Sequence, residues 1–259
     1  MLINPLKKLL IENQPCFVFA VRSVQNAGIV GIAQSAGYQG IYIDIQHSAT
    51  ELSSAANIYQ SATHAGLTAL TRIPHLDPTL IGRIIDSGGH GIMLADVRYA
   101  NQAEELVSAA LLHPEGQRSL GMPIDPRFHE LSGINLTQSI NANTLLIAMI
   151  ESVEGIQNVT EIVRTSGIDA IQIGSADLTA SIGIPGEYGH PRLLELYTEV
   201  SNACRLAQKP FIIGGIRDVQ AMQPYLSMGA AKCFFTGSDT AFIRDGAQRA
   251  RLQLLQTKF

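Results

Sequence analysis

Two carboxylates in this chain each stand just beyond an apolar run, a placement that suits the binding of a divalent cation. In Ile171-Gln-Ile-Gly-Ser-Ala-Asp177 the run ends at Gly174 and the aspartate follows within one turn of chain, while in Ile147-Ala-Met-Ile-Glu151 the glutamate follows directly. Buried parallel strands end this way when they deliver ligands past their carboxyl ends. A loop as small as Gly174, Ser175 and Ala176 lets backbone N–H groups close on an anion. Either carboxylate alone is equally compatible with capping the next helix; the pair at successive strand ends is what points to a metal. No His or Cys cluster stands beside them at zinc spacing, so hard oxygen donors with open positions favour magnesium or manganese and a chelating small molecule.

Other side chains extend that chemistry. Arg72 lies inside Leu70-Thr-Arg72-Ile-Pro74, an apolar run where a guanidinium needs an anionic partner: a substrate carboxylate, a developing enolate oxygen, or an Asp on a neighbouring strand. Arg22 repeats the logic after the first run, and two arginines at one mouth would suit a substrate with two carboxylates. His47 follows Asp44 by three residues and precedes a helix start, where an imidazole near a metal can move a proton at neutral pH or simply cap the helix. Asp86, in Ile84-Ile-Asp86-Ser-Gly-Gly, reads as an exposed carboxylate at a helix end, or as one that orients that histidine.

The elements that must position these groups are short apolar runs alternating with amphipathic segments. Eight runs, at 16–21, 41–45, 68–73, 91–95, 144–150, 170–174, 210–214 and 232–236, predict parallel strands joined by helices such as 100–112 and 153–164. Gly37, Gly66, Gly88, Gly167 and Gly229 fall between helix and strand, where a left-handed C-cap is needed. Polar residues or glycines end or follow every run, so a TIM barrel, which gathers strand ends at one mouth, is favoured over an open doubly wound sheet. Residues 113–140 are too long for an ordinary connection. Leaving the amino-terminal face, that loop reaches a catalytic mouth only by lying over a neighbouring subunit's, so it predicts oligomerisation. The glycine- and proline-rich residues 182–191 are expected to cover the site.

Composition narrows the partners. A chain of 259 residues, 46% hydrophobic and 15% charged, supports one large core and one domain over 1–259. The net charge of −4 offers no basic field for nucleic acid or an anionic membrane, leaving a small molecule as partner. The three cysteines have no paired spacing and read as buried thiols in the cytoplasm. The first ten residues lack the sustained apolar core of a signal peptide, and no window reaches the roughly 18 apolar residues of a membrane span.

Five motifs in register, Ile43-Asp44-x-x-His47, Thr71-Arg72-Ile-Pro74, Ile85-Asp86-x-Gly88, Met149-Ile-Glu151-Ser-x-Glu154-Gly and Ile173-Gly-Ser-Ala-Asp177-Leu, resemble those of the metal-dependent pyruvate aldolases of the HpcH/HpaI family. The resemblance implies a TIM barrel, assembled as a hexamer of paired subunits or another dimer-based homo-oligomer, with an exchanged C-terminal helix. It implies a divalent ion held by Glu151 and Asp177 that chelates a 2-oxo acid, and an arginine, Arg72, that steadies the enolate. His47 with Asp86 would be the acid–base machinery, supported by Asp44, and backbone N–H groups near Ala176 and Asp177 would hold the substrate carboxylate. Arg22, Gln46, Arg118, Gly174 and Ser175 complete the expected substrate contacts.

The departures concern the electrophile. Gln46 stands where many members have Glu, Ser175 where many have proline, Ala95-Asp96 where a proline is usual, Arg118-Ser119 for Arg-Gly, and Phe19 for an early tryptophan. Ser175 is expected to loosen its loop. The leading expectation is a carbon–carbon lyase cleaving 4-hydroxy-2-oxo acids through a pyruvate or oxaloacetate enolate. The alternatives are a citrate-forming synthase adding an acetyl-CoA-derived carbanion to oxaloacetate, and a non-catalytic barrel that binds a 2-oxo acid, against which His47 argues.

Overall fold

The computed structural model describes residues 4–121 and 124–256. Met1 to Ile3, in the amino-terminal segment, and Met122 and Pro123, in the predicted long loop, lie outside the described residues. In chain order the elements are α1 (Pro5–Ile11), β1 (Cys16–Val21), α2 (Gly28–Ser35), β2 (Gly40–Asp44), α3 (Leu52–Ala65), β3 (Thr68–Ile73), α4 (Pro78–Asp86), β4 (Gly91–Leu94) and α5 (Ala100–Ala110). They continue with α6 (Gly133–Asn143), β5 (Leu145–Ile150), α7 (Val153–Gln157), α8 (Val159–Arg164), β6 (Ala170–Gly174), α9 (Ser175–Ser181), α10 (Pro191–Ala207), β7 (Phe211–Gly214), α11 (Val219–Ser227), β8 (Cys233–Ser238) and α12 (Asp239–Leu255). The parallel ladder runs β7-β6-β5-β4-β3-β2-β1-β8, and contact between β7 and β8 brings its ends together. This is the (β/α)8 barrel that the strand ends predicted.

Both faces of each strand are covered, which is why the strands read as continuous apolar runs rather than as alternation. Alternation is present in the packing. Ile41, Ile43, Ala69, Ile92, Leu146, Ala148, Ile171 and Ile173 face the helices in one cluster, while Tyr42, Leu70, Met93, Ile147, Met149, Ala170 and Ile212 fill the barrel. The same period of two carries Asp44, Arg72, Glu151 and Gln172 onto the inner face. Their places on the strands therefore follow from those of Tyr42, Leu70, Met149 and Ala170.

The amino-terminal segment forms α1, which closes the bottom of the barrel. Leu6 and Leu10 join the inner cluster, each burial contributing roughly 1.5–3 kcal/mol. Asn4 donates to the carbonyls of His90 (3.0 Å) and Asn143 (2.9 Å), tying the plug to two strand approaches.

Three expectations are corrected. Residues 113–140 are not a bare loop: they contain a 3-10 turn (Pro126–Phe128) and most of α6. The sequence GINLTQSINAN has weak helix formers, but Leu136 and Ile140 pack on Phe128 and Leu112 and tertiary contact prevails. The predicted 153–164 helix is two helices divided at Asn158, whose amide donates to the carbonyls of Arg98 and Glu154, both at 3.0 Å. Residues 182–191 do not line the mouth: Gly186 N–H donates to Thr179 (3.1 Å) and the Tyr225 hydroxyl to the Tyr188 carbonyl, holding the segment against the outer layer.

Candidate active site

At the carboxyl ends of the strands a cavity of about 300 Å³ opens, lined by side chains that include Arg22, His47, Arg72, Met149, Gln172 and Asp177. Its order begins with Asp44, which is fully buried at the end of β2 beside its register partner Arg72 on β3. Arg72 donates through Nε to Oδ1 (3.0 Å) and through Nη2 to Oδ2 (2.7 Å), a two-point clamp that fixes the guanidinium plane. Arg22 Nε donates to Oδ2 (2.9 Å) and the His47 N–H to Oδ1 (3.2 Å), so one carboxylate organises three residues of the mouth. Burial alone would raise the Asp44 pKa, but the Arg72 hydrogen bond and charge, with Arg22 and the His47 N–H, hold it below the usual range. Asp44 is fully buried behind the cavity lining, where it holds these three residues in place. Of the partners that its sequence context allowed, the structure shows the neighbouring aspartate: Asp44 takes one side of Arg72, and Nη1 is left toward the cavity, 3.9 Å from Met149 Sδ.

Glu151 and Asp177 are both at this end, and neither caps a helix. Ser152 caps α7 through Gly155 N–H (3.2 Å), and the first turn of α9 starts at Ser175 with no side-chain cap. Glu151 is 7% exposed, and its Oε2 is buried with no hydrogen-bond partner. Gly174 makes the space for it: a Cβ there would stand 2.5 Å from Oε2. Burial, then the charge of Asp177, raises the Glu151 pKa to about 7, against the pull of Arg72. Asp96 adds to that negative field from the end of β4 while pairing with Arg98 at 2.6 Å. An orphaned buried carboxylate oxygen beside a second carboxylate suits a hard divalent cation. Among the described residues no set of three or more His, Cys, Asp and Glu side chains converges, so water or substrate would complete the coordination.

Ser175 reverses its expectation. Its hydroxyl is fully buried and meets the Tyr197 hydroxyl at 2.6 Å in the helix layer, so it fastens the start of α9 and turns away from the mouth. Only the backbone of this residue is left for a substrate. Asp86 and Arg118 are not brought to the mouth of their own chain. They pair with each other (Arg118 Nη1 to Asp86 Oδ1, 2.7 Å) in a separate groove between α4 and α5, where Arg118 Nη2 is buried without a partner. Gln46 also lies off the cavity, its Oε1 buried and unpartnered.

Three contributors escaped the sequence reading. Arg217, in the loop after β7, joins Arg22 and Arg72 as a third guanidinium around the cavity. Asp239, one residue past β8, accepts the N–H groups of Arg22 (3.1 Å), Ser23 (2.9 Å) and Val24 (2.7 Å) and so holds the loop that presents Arg22. Gln172 faces inward from β6. For Asp239 the signal was present, a carboxylate just past the last strand, as for Asp177.

A TIM barrel with two metal-suited carboxylates, a clamped arginine and a histidine at one mouth defines a class of lyase that works on small oxo acids. The model of the HpcH/HpaI aldolase/citrate lyase family matches residues 18–244, and the chain belongs to that family. It is 29% identical over 209 residues to the 4-hydroxy-4-methyl-2-oxoglutarate aldolase of Chaetomium globosum, covering 78% of this chain and 76% of the relative. It is 27% identical over 215 residues to the 5-keto-4-deoxy-D-glucarate aldolase of Shigella dysenteriae, covering 83% and 82%. The crystal structure of an HpcH/HpaI aldolase from Desulfitobacterium hafniense superposes with a TM-score of 0.90 at 26% identity over 97% of both chains. The chain is accordingly an enzyme of the aldolase type, a carbon–carbon lyase. No helix among the described residues is long and apolar enough to cross a membrane.

Proposed function

We propose that this enzyme cleaves 4-hydroxy-2-oxo acids to pyruvate and a carbonyl compound, with Glu151 and Asp177 holding a magnesium or manganese ion. The observation that carries the reading is the buried, unpartnered Glu151 Oε2 at a strand end, near enough to Asp177 and to the Asp44-clamped Arg72 for both charges to act on it. The ion would supply the charge that polarises a chelating 2-oxo acid. The open N–H groups of Ala176 and Asp177 receive the substrate carboxylate. His47 takes the proton of the C4 hydroxyl. The C3–C4 bond then breaks, the carbonyl compound leaves, and the electron pair stays on the pyruvyl half, spread onto its C2 oxygen until the proton taken by His47 is returned to C3 to give pyruvate. Arg72, held rigid before the reaction, stabilises that charge without reorganising. Arg22 and Arg217 at the rim suit a second carboxylate, in keeping with the dicarboxylic substrates in both relatives' names. The expected result is pyruvate release from 4-hydroxy-4-methyl-2-oxoglutarate or 5-keto-4-deoxy-D-glucarate, abolished by a strong chelator and restored by magnesium or manganese. Turnover indifferent to the chelator would remove the metal assignment, and thiol release from acetyl-CoA with oxaloacetate, without pyruvate release, would replace the aldolase by a citrate-forming synthase.

The same reading makes the enzyme a cytoplasmic homo-oligomer. α12 buries none of its apolar side chains, leaving Ile243, Leu252, Leu254 and Leu255 exposed, as a helix exchanged between subunits would in isolation. Asp86 and Arg118, off their own mouth, are assigned to a neighbour's, where Asp86 would orient His47. Co-expressed His47→Ala and Asp86→Ala chains, each inactive alone, are then expected to recover part of the wild-type rate in mixed assemblies. No recovery from assemblies shown to contain both chains would place Asp86 outside the site.

A further inference from the structure

The inner face of the barrel is apolar apart from a few side chains, and the buried polar groups of its strands have partners. Thr68 bonds to Asn4 (2.6 Å), Thr71 to Tyr59 (2.8 Å), and Asp44 to Arg72. Exceptions are Glu151, already placed at the metal, and the cavity-lining Tyr42 and Gln172. Gln172 is 3% exposed, lines the mouth cavity from the middle of β6, and its carboxamide makes no hydrogen bond to any described residue. Neither amide atom is sealed from the cavity, so the carboxamide is presented to whatever occupies it. A leucine here would extend the inner cluster; the glutamine is suited to a polar partner that enters the cavity.

Its neighbours indicate what enters. Gln172 is the register partner of Met149, and Arg72 Nη1 approaches Met149 Sδ from the other side at 3.9 Å. Arg72 and Gln172 thus flank one methionine on the same floor. Above Gln172 on β6, Gly174 has no side chain and leaves the way to Glu151 open. On the adjacent strand, a Cβ at Gly214 would lie 3.2 Å from the Gln172 side chain, so that glycine also gives the amide room. We infer that Gln172 is a substrate-binding residue whose amide N–H donates to an oxygen of the 2-oxo acid half, sharing with Arg72 the recognition of the pyruvyl group. The inference rests on the aldolase reading, and it assigns the deep polar contact of the cavity to β6.

The test is titration calorimetry of the magnesium-loaded protein with pyruvate, paired with thermal denaturation of the metal-free protein. For Gln172→Leu the pyruvate Kd is expected to rise about 10- to 100-fold, as when a buried hydrogen bond to a charged group is lost, while the melting temperature stays level or rises. A structural glutamine would do the reverse, losing stability and keeping its pyruvate affinity, and that result overturns the assignment. Should the leucine variant not fold, Gln172→Met, unbranched and of similar volume, is held to the same two readings. Wild-type protein that fails to bind pyruvate removes the aldolase reading and this inference together. Wild-type binding with an unchanged Kd in both variants removes this inference alone.

Discussion

Replacing Glu151 with glutamine is expected to abolish turnover and, in the metal-free protein at pH 8, to raise the melting temperature. The two effects have one cause. Oε2 is buried with no hydrogen-bond partner, and burial, reinforced by Asp177, raises the pKa from 4.5 to about 7. Between those two values the folded protein holds a proton that the unfolded chain has released, so this group's contribution is intact below about pH 4.5 and is lost as pH rises toward 7. At pH 8 the carboxylate is charged and uncompensated. Glutamine keeps the shape without the charge, and a gain of about 1–3 kcal/mol is expected there, shrinking toward zero near pH 4.5. Saturating magnesium inverts the order, because the ion stabilises only a protein that binds it, by RT ln(1 + [L]/Kd). Denaturation of both proteins at pH 5 and pH 8, with chelator and with magnesium, checks all four arms. A glutamine variant less stable than wild type at pH 8 in chelator would show that Oε2 has a partner in solution, and would weaken the case for a metal there.

The place of Glu151 at a strand end was legible in the sequence because the run before it is wholly apolar; that Ser152, beside it, takes the capping role was not. The barrel was legible for a related reason. Strands buried on both faces are uninterrupted apolar runs, and the helices between them end at glycines such as Gly66, whose φ of 72° only a residue without Cβ adopts easily. What stayed hidden depends on neighbours distant in sequence. Whether Arg72 meets a substrate or an aspartate is decided by register with a strand 28 residues away. Ser175 reads as added freedom until Tyr197, 22 residues on, is seen to hold its hydroxyl. Gln172 sits in a run whose inward phase is invisible when both phases are apolar. In α6, Asn, Ser and Thr argue against a helix that packing on Phe128 nevertheless secures. Asp86 and Arg118 were read from motifs, which carry no information on whose mouth they serve.

Asp44 offers the second large effect, and it separates stability from chemistry. Arg72 is 5% exposed, and its charge is tolerated because Asp44 meets it with two hydrogen bonds. Removing the carboxylate alone, as in Asp44→Leu, leaves that guanidinium buried without its counter-charge and is expected to cost about 3–5 kcal/mol. It also frees Arg22 and the His47 backbone from their common anchor, so activity is expected to fall with stability. The Asp44→Leu, Arg72→Met double variant removes both buried charges and replaces them with packing volume. It is expected to regain most of the lost stability, since a buried pair exchanged for apolar side chains is often neutral or better, and to regain no activity, because the charge that meets the C2 oxygen is gone. The folded-state pKa of Asp44 lies below its ordinary 3.8, so its contribution is complete above that pH and fades only as pH falls through the lower, folded value. Urea denaturation at neutral pH with pyruvate-release assays on wild type, Asp44→Leu, Arg72→Met and the double variant closes the cycle. A double variant no more stable than Asp44→Leu would mean that the loss comes from the loops anchored on Asp44 rather than from the stranded Arg72 charge.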